Sequence, residues 1–185
     1  PTGLNTVRTR PGGFGIQTAA VAAGGDVNPL TTAVEEYDGT SWTAGTALGT
    51  AKYGGAGTGI LTAGLIFGGK APGVTNATEE YDGTNWTTGG NLITAVQSEG
   101  AGTQTASLSF GGNPGNTAKT EGYDGTSWST RPSMAVGRNN AMSAGGSAGS
   151  TAALNAGGYT TANVNTTEEF TGETSTANVT NFTTS

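Results

Sequence analysis

Short runs of small or alternating apolar residues recur along the chain, and each run is followed at once by two glycines. The runs cover residues 18–23, 61–67, 105–110 and 152–156. Such short runs bounded by turn residues are typical of β-strands, and no stretch carries the 3.6-residue apolar period of an amphipathic helix. Two glycines at a strand end suit a backbone that needs positive φ or approaches another segment closely. The pairs are Gly24-Gly25, Gly68-Gly69, Gly111-Gly112 and Gly157-Gly158.

A hexapeptide recurs in step with the glycine pairs. It reads YDGTSW at residues 37–42, YDGTNW at 81–86 and YDGTSW at 123–128, so the copies start 44 (37 to 81) and 42 (81 to 123) residues apart. A fourth, eroded copy begins at Phe170 and has Ser175 where Trp is expected. Self-similarity at this period is typical of a repeat architecture, and a propeller blade is the natural unit at this length.

Each repeat predicts four antiparallel strands: an inner strand, a second strand ending at Gly-Gly, a third ending at Tyr-Asp-Gly, and an outer strand starting at Trp. This arrangement resembles the kelch repeat, whose blades carry Gly-Gly after the second strand and a Tyr and a Trp separated by a short turn. Arg8, Lys52 and Arg138 extend the resemblance, since each stands four residues after an apolar residue near a first strand, whereas Val96 replaces the basic residue in the third repeat. The resemblance covers nearly the whole chain and implies an all-β, kelch-like β-propeller.

We expect a single repeat domain over residues 1–185, with blades at approximately 1–45, 46–89, 90–131 and 132–185. The chain begins with residues that match those following Trp in later repeats. The four blades therefore either close on themselves or form the C-terminal part of a longer array. Small residues are expected to crowd around the central axis, namely Ala19, Ala20, Ala22, Ala23, Ala63 and Gly64.

The repeated Asp-Gly dipeptides favour two-residue hairpins of type I′, in which both residues have positive φ. A calcium site or a sialidase-type Asp-box is the alternative, but an Asp-box separates Asp and Gly by one residue and here they are adjacent. Trp42, Trp86 and Trp128 are predicted to be largely buried packing anchors between blades, with sugar stacking as the less favoured interpretation.

Composition and charge narrow the classes of partner. The chain has a net charge of −6 with seven basic residues scattered singly, which disfavours nucleic-acid binding because that needs clustered Lys or Arg. It has no apolar run long enough to cross a membrane and no basic amphipathic stretch, so we expect no membrane insertion. Cysteine is absent, which rules out disulfides.

The residues available for catalysis are few. Without His or Cys, neither Ser-His-Asp nor Cys-His nucleophile systems can be assembled, nor can an imidazole or thiolate metal site. Paired carboxylates can hydrolyse glycosides, but here they recur at one position per repeat, as scaffold residues do: Glu35-Glu36, Glu79-Glu80, Glu121 and Glu168-Glu169. We expect no enzyme activity, no cofactor and no metal. Arg8, Lys52 and Arg138 are each predicted to pair with one of these glutamates.

The loops after the glycine pairs are where the repeats differ most, and variable loops on a repeated scaffold commonly carry binding. They are expected on the same face as the links between blades, opposite the Asp-Gly turns. The candidate binding residues are Asp26, Lys70, Asn113, Lys119 and Tyr159.

Two functional classes remain. Short cysteine-free kelch-like arrays rich in Gly, Thr and Ala resemble predicted tail or fibre proteins of marine bacteriophages. This resemblance implies a non-enzymatic virion structural or adhesion protein, located in the extracellular particle, whose partners are other virion proteins or a host-surface glycan. Homo-oligomerisation is compatible with this class. The alternative is a cellular kelch-type protein-interaction module in the cytoplasm.

Overall fold

The computed structural model describes residues 2–145, 149–172 and 179–182. Apart from one 3-10 turn at Gly149–Thr151, all regular structure in these ranges is β-strand. The strands form four four-stranded antiparallel sheets, each in strict chain order. The predicted all-β propeller of four-stranded blades is therefore confirmed.

Each repeat builds one blade. Blade 1 contains β1 (Gly12–Ile16), β2 (Ala19–Ala23), β3 (Val34–Tyr37) and β4 (Trp42–Ala44). Blade 2 contains β5 (Ala56–Ile60), β6 (Ala63–Phe67), β7 (Thr78–Tyr81) and β8 (Trp86–Thr88). Blade 3 contains β9 (Gln97–Thr103), β10 (Ala106–Asn113), β11 (Thr120–Tyr123) and β12 (Trp128–Arg131). Blade 4 contains β13 (Met142–Ala144), β14 (Ala153–Ala156), β15 (Thr167–Phe170) and β16 (Val179–Phe182).

The first strand of each blade lies at the axis. There β1 packs on β5, β5 on β9, and β9 on β13. Glycine allows the close approach: a Cβ on Gly57 of β5 would lie 2.3 Å from the carbonyl oxygen of Gly13 in β1. Small residues were predicted to crowd the axis, but they lie one strand away from it, on β2 and β6: Ala19, Ala20, Ala22, Ala23, Ala63 and Gly64. Gly64 instead receives the ring of Phe14 from blade 1.

Apolar side chains fill the spaces between successive blades. One buried cluster between blades 1 and 2 includes Val21 and Tyr81, and a second between blades 2 and 3 includes Leu65 and Tyr123. A third, between blades 3 and 4, includes Phe170. Side chains along a strand alternate between the two faces of a blade. Each blade therefore packs one set of side chains against the following blade and another set against the preceding blade.

The Asp-Gly turns differ from the predicted type I′ geometry. Gly39 has positive φ, but Asp38 does not, and β3 and β4 are separated by four residues. The Asp38 carboxylate accepts hydrogen bonds from the backbone N–H groups of Thr40 and Ser41, both at 2.8 Å. These bonds hold the pKa of Asp38 below its usual value. Asp82 and Asp124 repeat the arrangement, so Asp acts through its side chain rather than by adopting positive φ.

The tryptophan prediction holds for one residue of three. Trp128 is buried, whereas Trp42 and Trp86 are half-buried. Each stacks on the Tyr of its own hairpin, with ring centroids 4.7–5.1 Å apart. The indoles lie at the outer strands, where the burial of each indole depends on the residues of the preceding blade that pack against it. The position of Ser175, expected to replace the fourth Trp, lies outside the described residues.

The predicted pairing of basic residues with glutamates is confirmed in blades 1, 2 and 4. Arg8 pairs with Glu35, Lys52 with Glu79 at 2.9 Å, and Arg138 with Glu168, all of them buried. Each pair joins the link before an inner strand to the third strand of the same blade. Burial alone would raise the pKa of Glu35, but N–H groups of Asn5 and Thr6 and the charge of Arg8 hold it below its usual value.

Candidate partner-binding face

The loops between the second and third strands lie on one face, hereafter the loop face. Backbone bridges join Thr9 to Asp26, Tyr53 to Lys70, and Asn139 to Tyr159. Each bridge pairs the residue that follows a glycine pair with the segment that precedes the inner strand of the same blade. The loops therefore emerge beside the links between blades, as the strand order predicted. Gly39 of the first Asp-Gly turn lies against Thr18 in the turn between β1 and β2, at the opposite end of the blade.

One arginine connects the loop face of blades 1 and 2. The Arg10 guanidinium lies 3.0 Å from the Asp26 carboxylate and 4.0 Å above the centre of the Tyr53 ring. About half of the Arg10 side chain is exposed (55%), so the ion pair is screened by water and adds little stability. Its effect is to fix a positive charge at the inner end of both loops.

Amide side chains connect the loop face of blades 3 and 4. Asn139 is buried and donates from Nδ2 to the Oδ1 atoms of Asn113, at 3.0 Å, and of Asn116. Asn116 in turn donates to the carbonyl oxygen of Thr160. Asn113 accepts this bond through Oδ1, and its two Nδ2 N–H donors have no acceptor among the described residues.

These connections surround a polar cavity of about 540 Å³ at the mouth of the central channel. Residues that precede or lie in the inner strands line it, together with Asn113 at the end of β10. The polar side chains in the lining are Arg10, Gln97, Ser98, Glu99, Asn113, Asn140 and Ser143. A volume of this size falls in the range of small-ligand sites, and hydrogen-bonding groups of both kinds suit a polar, hydroxyl-rich ligand.

Glu99 is the ionisable group most affected by this cavity. It is half-buried, and burial raises its pKa to about 7. The carboxyl group therefore exchanges its proton near neutral pH, so it can act as a donor or an acceptor to a ligand under ordinary conditions.

The five predicted binding residues fall into two groups. Asp26, Lys70, Asn113 and Tyr159 occupy equivalent positions, one per blade, directly after the glycine pair. Asn113 alone among the five lines the channel-mouth cavity. Lys119 is exposed and lies 3.3 Å from the Thr94 hydroxyl, outside the cavity lining. Their role in binding stays a prediction.

Sequence reasoning missed most of the cavity residues. Arg10, Gln97, Glu99, Asn140 and Ser143 lie at or just before inner strands, which the sequence presents as glycine-rich strand starts rather than as loops. Arg10, Gly54 and Asn140 occupy equivalent positions two residues after the basic site, and in the structure all three have positive φ. The sequence indicates this conformation only at Gly54, so it gave no signal for Arg10 and Asn140.

Residues 2–145, 149–172 and 179–182 contain no group of three or more carboxylates that could hold a metal ion. No helix among them is long and apolar enough to cross a membrane. In comparisons with known proteins, no family model matches this chain, and no curated protein matches it.

Proposed function

We propose that this chain is a non-enzymatic binding protein that contacts its partner through the loop face and the mouth of the central channel. The observation that supports this proposal is the polar cavity of about 540 Å³, which is lined by inner-strand residues of all four blades and lies on the face that also carries the loops that differ between repeats. A repeated scaffold holds such loops rigidly, so that binding costs little conformational entropy.

The blades are of kelch type in this proposal. Gly-Gly directly follows β2 and β6, Tyr and Trp flank the hairpin between third and fourth strands, and a basic residue near the first strand pairs with the third. The repeated YDGTSW sequences and the absence of Cys favour a structural or adhesion component of a bacteriophage virion, such as a fibre or decoration protein.

The partner is a host-surface glycan or another protein of the same particle. The cavity has the mixture of guanidinium, amide, hydroxyl and carboxyl groups that sugars engage through hydrogen bonds. The test replaces Asn113 by Ala, and separately Lys70 and Lys119 together by Ala, in the protein as carried by the particle. Adsorption of particles to host cells and the yield of assembled particles are the two measurements.

We expect the Asn113 variant to lower adsorption or assembly at least tenfold, because it removes a cavity hydrogen-bonding group. The matched control replaces the exposed Thr84 and Thr126 of the Asp-Gly turns by Ala. Unchanged adsorption and assembly in all loop-face variants, with the fold intact by circular dichroism, would contradict this function. Absence of the chain from purified particles would instead favour a cellular interaction module.

A further inference from the structure

Two neutral side chains in the lining of the channel-mouth cavity carry hydrogen-bond donors that are not used within the chain. Asn113 accepts from Asn139 through Oδ1 at 3.0 Å, and its Nδ2 group has no acceptor among the described residues. Ser143 accepts from Asn155 through Oγ at 3.0 Å, so its own hydroxyl proton is likewise without an acceptor there. Because the oxygen of each side chain is already bonded, both offer chiefly donors to a ligand.

Arg10 adds a positive charge to this lining, whereas its counter-ion lies outside it. The Asp26 carboxylate binds Nη2 of the guanidinium at 3.0 Å and is not part of the lining. Nε and Nη1 have no acceptor in the described part of the chain. A guanidinium has five N–H donors in a planar fork that matches a carboxylate, so the ion pair leaves donors for a ligand of that kind.

Glu99 is the only other ionisable residue in the lining, and it lies on blade 3, across the axis from Arg10 at the start of blade 1. The elements packed against β9 contain no ionisable residue, namely β5, β6, β10, β13, β14 and the 3-10 turn. Burial raises the pKa of Glu99 to about 7, so the group is mostly protonated at pH 6. A neutral carboxyl donates its O–H proton, so at that pH the lining carries the charge of Arg10 alone and gains one more donor.

The cavity has little apolar surface. Of the described residues that line it, none is aromatic, and only Pro11 and Ala56 have an apolar side chain. The side-chain amides of Gln97 and Asn140 have no hydrogen-bond partner among the described residues, and each offers both a donor and an acceptor. Sugar hydroxyls, which also donate and accept, match such amides, whereas protein partners are usually anchored by apolar and aromatic side chains.

We propose that the channel mouth binds a sugar that carries a carboxylate, such as a hexuronic acid. The inference rests on the proposed function and names the class of glycan. The carboxylate lies on Arg10, and the ring hydroxyls bind the side chains of Gln97, Asn113, Asn140 and Ser143. One cation balances one negative charge, which fits a carboxylate better than a phosphate dianion. A positively charged sugar would meet the guanidinium and the free donors instead of acceptors.

The test compares two sugars that differ only at C6, methyl β-D-glucuronide with a carboxylate and methyl β-D-glucoside with a hydroxymethyl group. Isothermal titration calorimetry at pH 6 measures the affinity of the chain for each. We expect the glucuronide to bind at least about tenfold more tightly, because charge-assisted hydrogen bonds are about twice as strong as neutral ones. Arg10→Gln should remove this difference. Arg131→Gln is the matched control and should keep it, since it removes the same charge from β12, outside the lining.

The pH dependence of binding is a second measurement. Between pH 6 and pH 8 Glu99 goes from about nine-tenths to about one-tenth protonated, so the affinity of the wild-type chain for the glucuronide should fall by up to about tenfold. Glu99→Gln keeps a neutral donor at this position and should hold the affinity constant between the two pH values. The sugar carboxylate stays ionised throughout. Equal pH profiles for the two proteins would overturn the placement of the carboxylate in this cavity.

The remaining outcomes separate this inference from the proposed function. Equal or tighter binding of the glucoside would overturn the carboxylate and leave a glycan as the partner. A third probe, N-acetylaspartate, would overturn the sugar if it bound as tightly as the glucuronide, because an acidic protein segment would then suffice. If neither sugar binds, the inference fails, and the proposed function is decided separately by particle adsorption and assembly with the Asn113 variant.

Discussion

Four buried glutamates occupy one position of the repeat, yet their partners differ. Glu35 and Glu168 each accept two backbone N–H groups and an arginine. Glu121 accepts N–H groups from Ile93 and Thr94 and has Val96 in place of the cation. Glu79 depends most on its cation, because only the Gly49 N–H accompanies the Lys52 ammonium.

Replacing Lys52 by Met should therefore destabilise the protein by about 3–5 kcal/mol, because it leaves a buried carboxylate with one hydrogen bond. The Lys52→Met/Glu79→Gln double variant should recover at least half of that loss, since no charge remains. Urea unfolding followed by tryptophan fluorescence measures both. A loss below about 1 kcal/mol for the single variant would show that Glu79, like Glu121, needs no cation.

At the scale of single residues, sequence periodicity was sufficient to predict the ion pairs. Arg8, Lys52 and Arg138 recur in phase with the glutamates. Because both groups occupy fixed positions in the repeat, each basic residue is expected at the same distance from its glutamate in every blade. The hydrogen bond from the Tyr81 hydroxyl to Glu36 was not predicted, because it joins different blades and depends on which face of β3 and β7 each side chain occupies. The channel-mouth residues were missed for a similar reason, since four separate strands bring them together.

The hairpin of the third and fourth strands is the element that joins a blade to the one before it. In blade 2, Trp86 packs edge-on to Phe14 of blade 1 at 6.1 Å and donates to Thr46. In blade 1 the rings of Tyr37 and Trp42 stack on each other, and Asn5 donates to the carbonyl oxygen of Trp42. Hairpins of nearly identical sequence thus contribute differently to stability according to what packs against them.

We expect Trp86→Ala to cost about 3–5 kcal/mol and Trp42→Ala only about 1–2 kcal/mol, because Trp42 loses contacts within its own hairpin alone. The comparison requires low chain concentration, at which any association between copies is absent. Chemical denaturation of both variants gives the two values. Equal costs would mean that the stacking within the hairpin, and not the blade junction, sets the contribution of these indoles.

The order of strands within this element was predictable, because Gly-Gly and Tyr-Asp-Gly mark strand ends. The turn geometry was not. Asp-Gly between two strands is compatible with a type I′ turn and with the observed turn, in which the Asp38 carboxylate binds two N–H groups. Dipeptide composition does not distinguish the two, since Asp tolerates positive φ and also forms side-chain bonds to nearby backbone.

At the scale of the whole molecule, the channel is a joint product of all four blades. Its polar mouth contains Glu99 of β9, with Arg10 of blade 1 in the same lining. Repeat analysis alone led us to expect the propeller, but not this cavity, because the residues that form it lie where the repeats diverge. The proposed binding role depends on those divergent residues, so the repeated residues carry no information on a partner.

Glu99 should make stability fall as the pH rises from about 4.5 to about 7. Its pKa in the folded protein is about 7, above the ordinary value of 4.5, so its contribution is complete below pH 4.5 and lost as the pH rises through 7. Between pH 5 and 8 we expect the wild-type chain to lose about 2 kcal/mol relative to Glu99→Gln. Urea unfolding at both pH values provides the measurement, and parallel profiles for the two proteins would contradict it.

The junction between blades 3 and 4 has a consequence for the order in which mutations can be accepted. Phe170→Tyr alone would bury a hydroxyl without an acceptor, because Gly122 offers no carboxylate. Gly122→Glu alone would bring a Cβ to 2.4 Å from Nε of Arg131, so the Arg131 side chain would have to move, and no tyrosine hydroxyl would donate to the new carboxylate. The double variant would restore the Tyr–Glu hydrogen bond found between blades 1 and 2 and between blades 2 and 3. We therefore expect the two substitutions together to be more favourable than the sum of their separate effects.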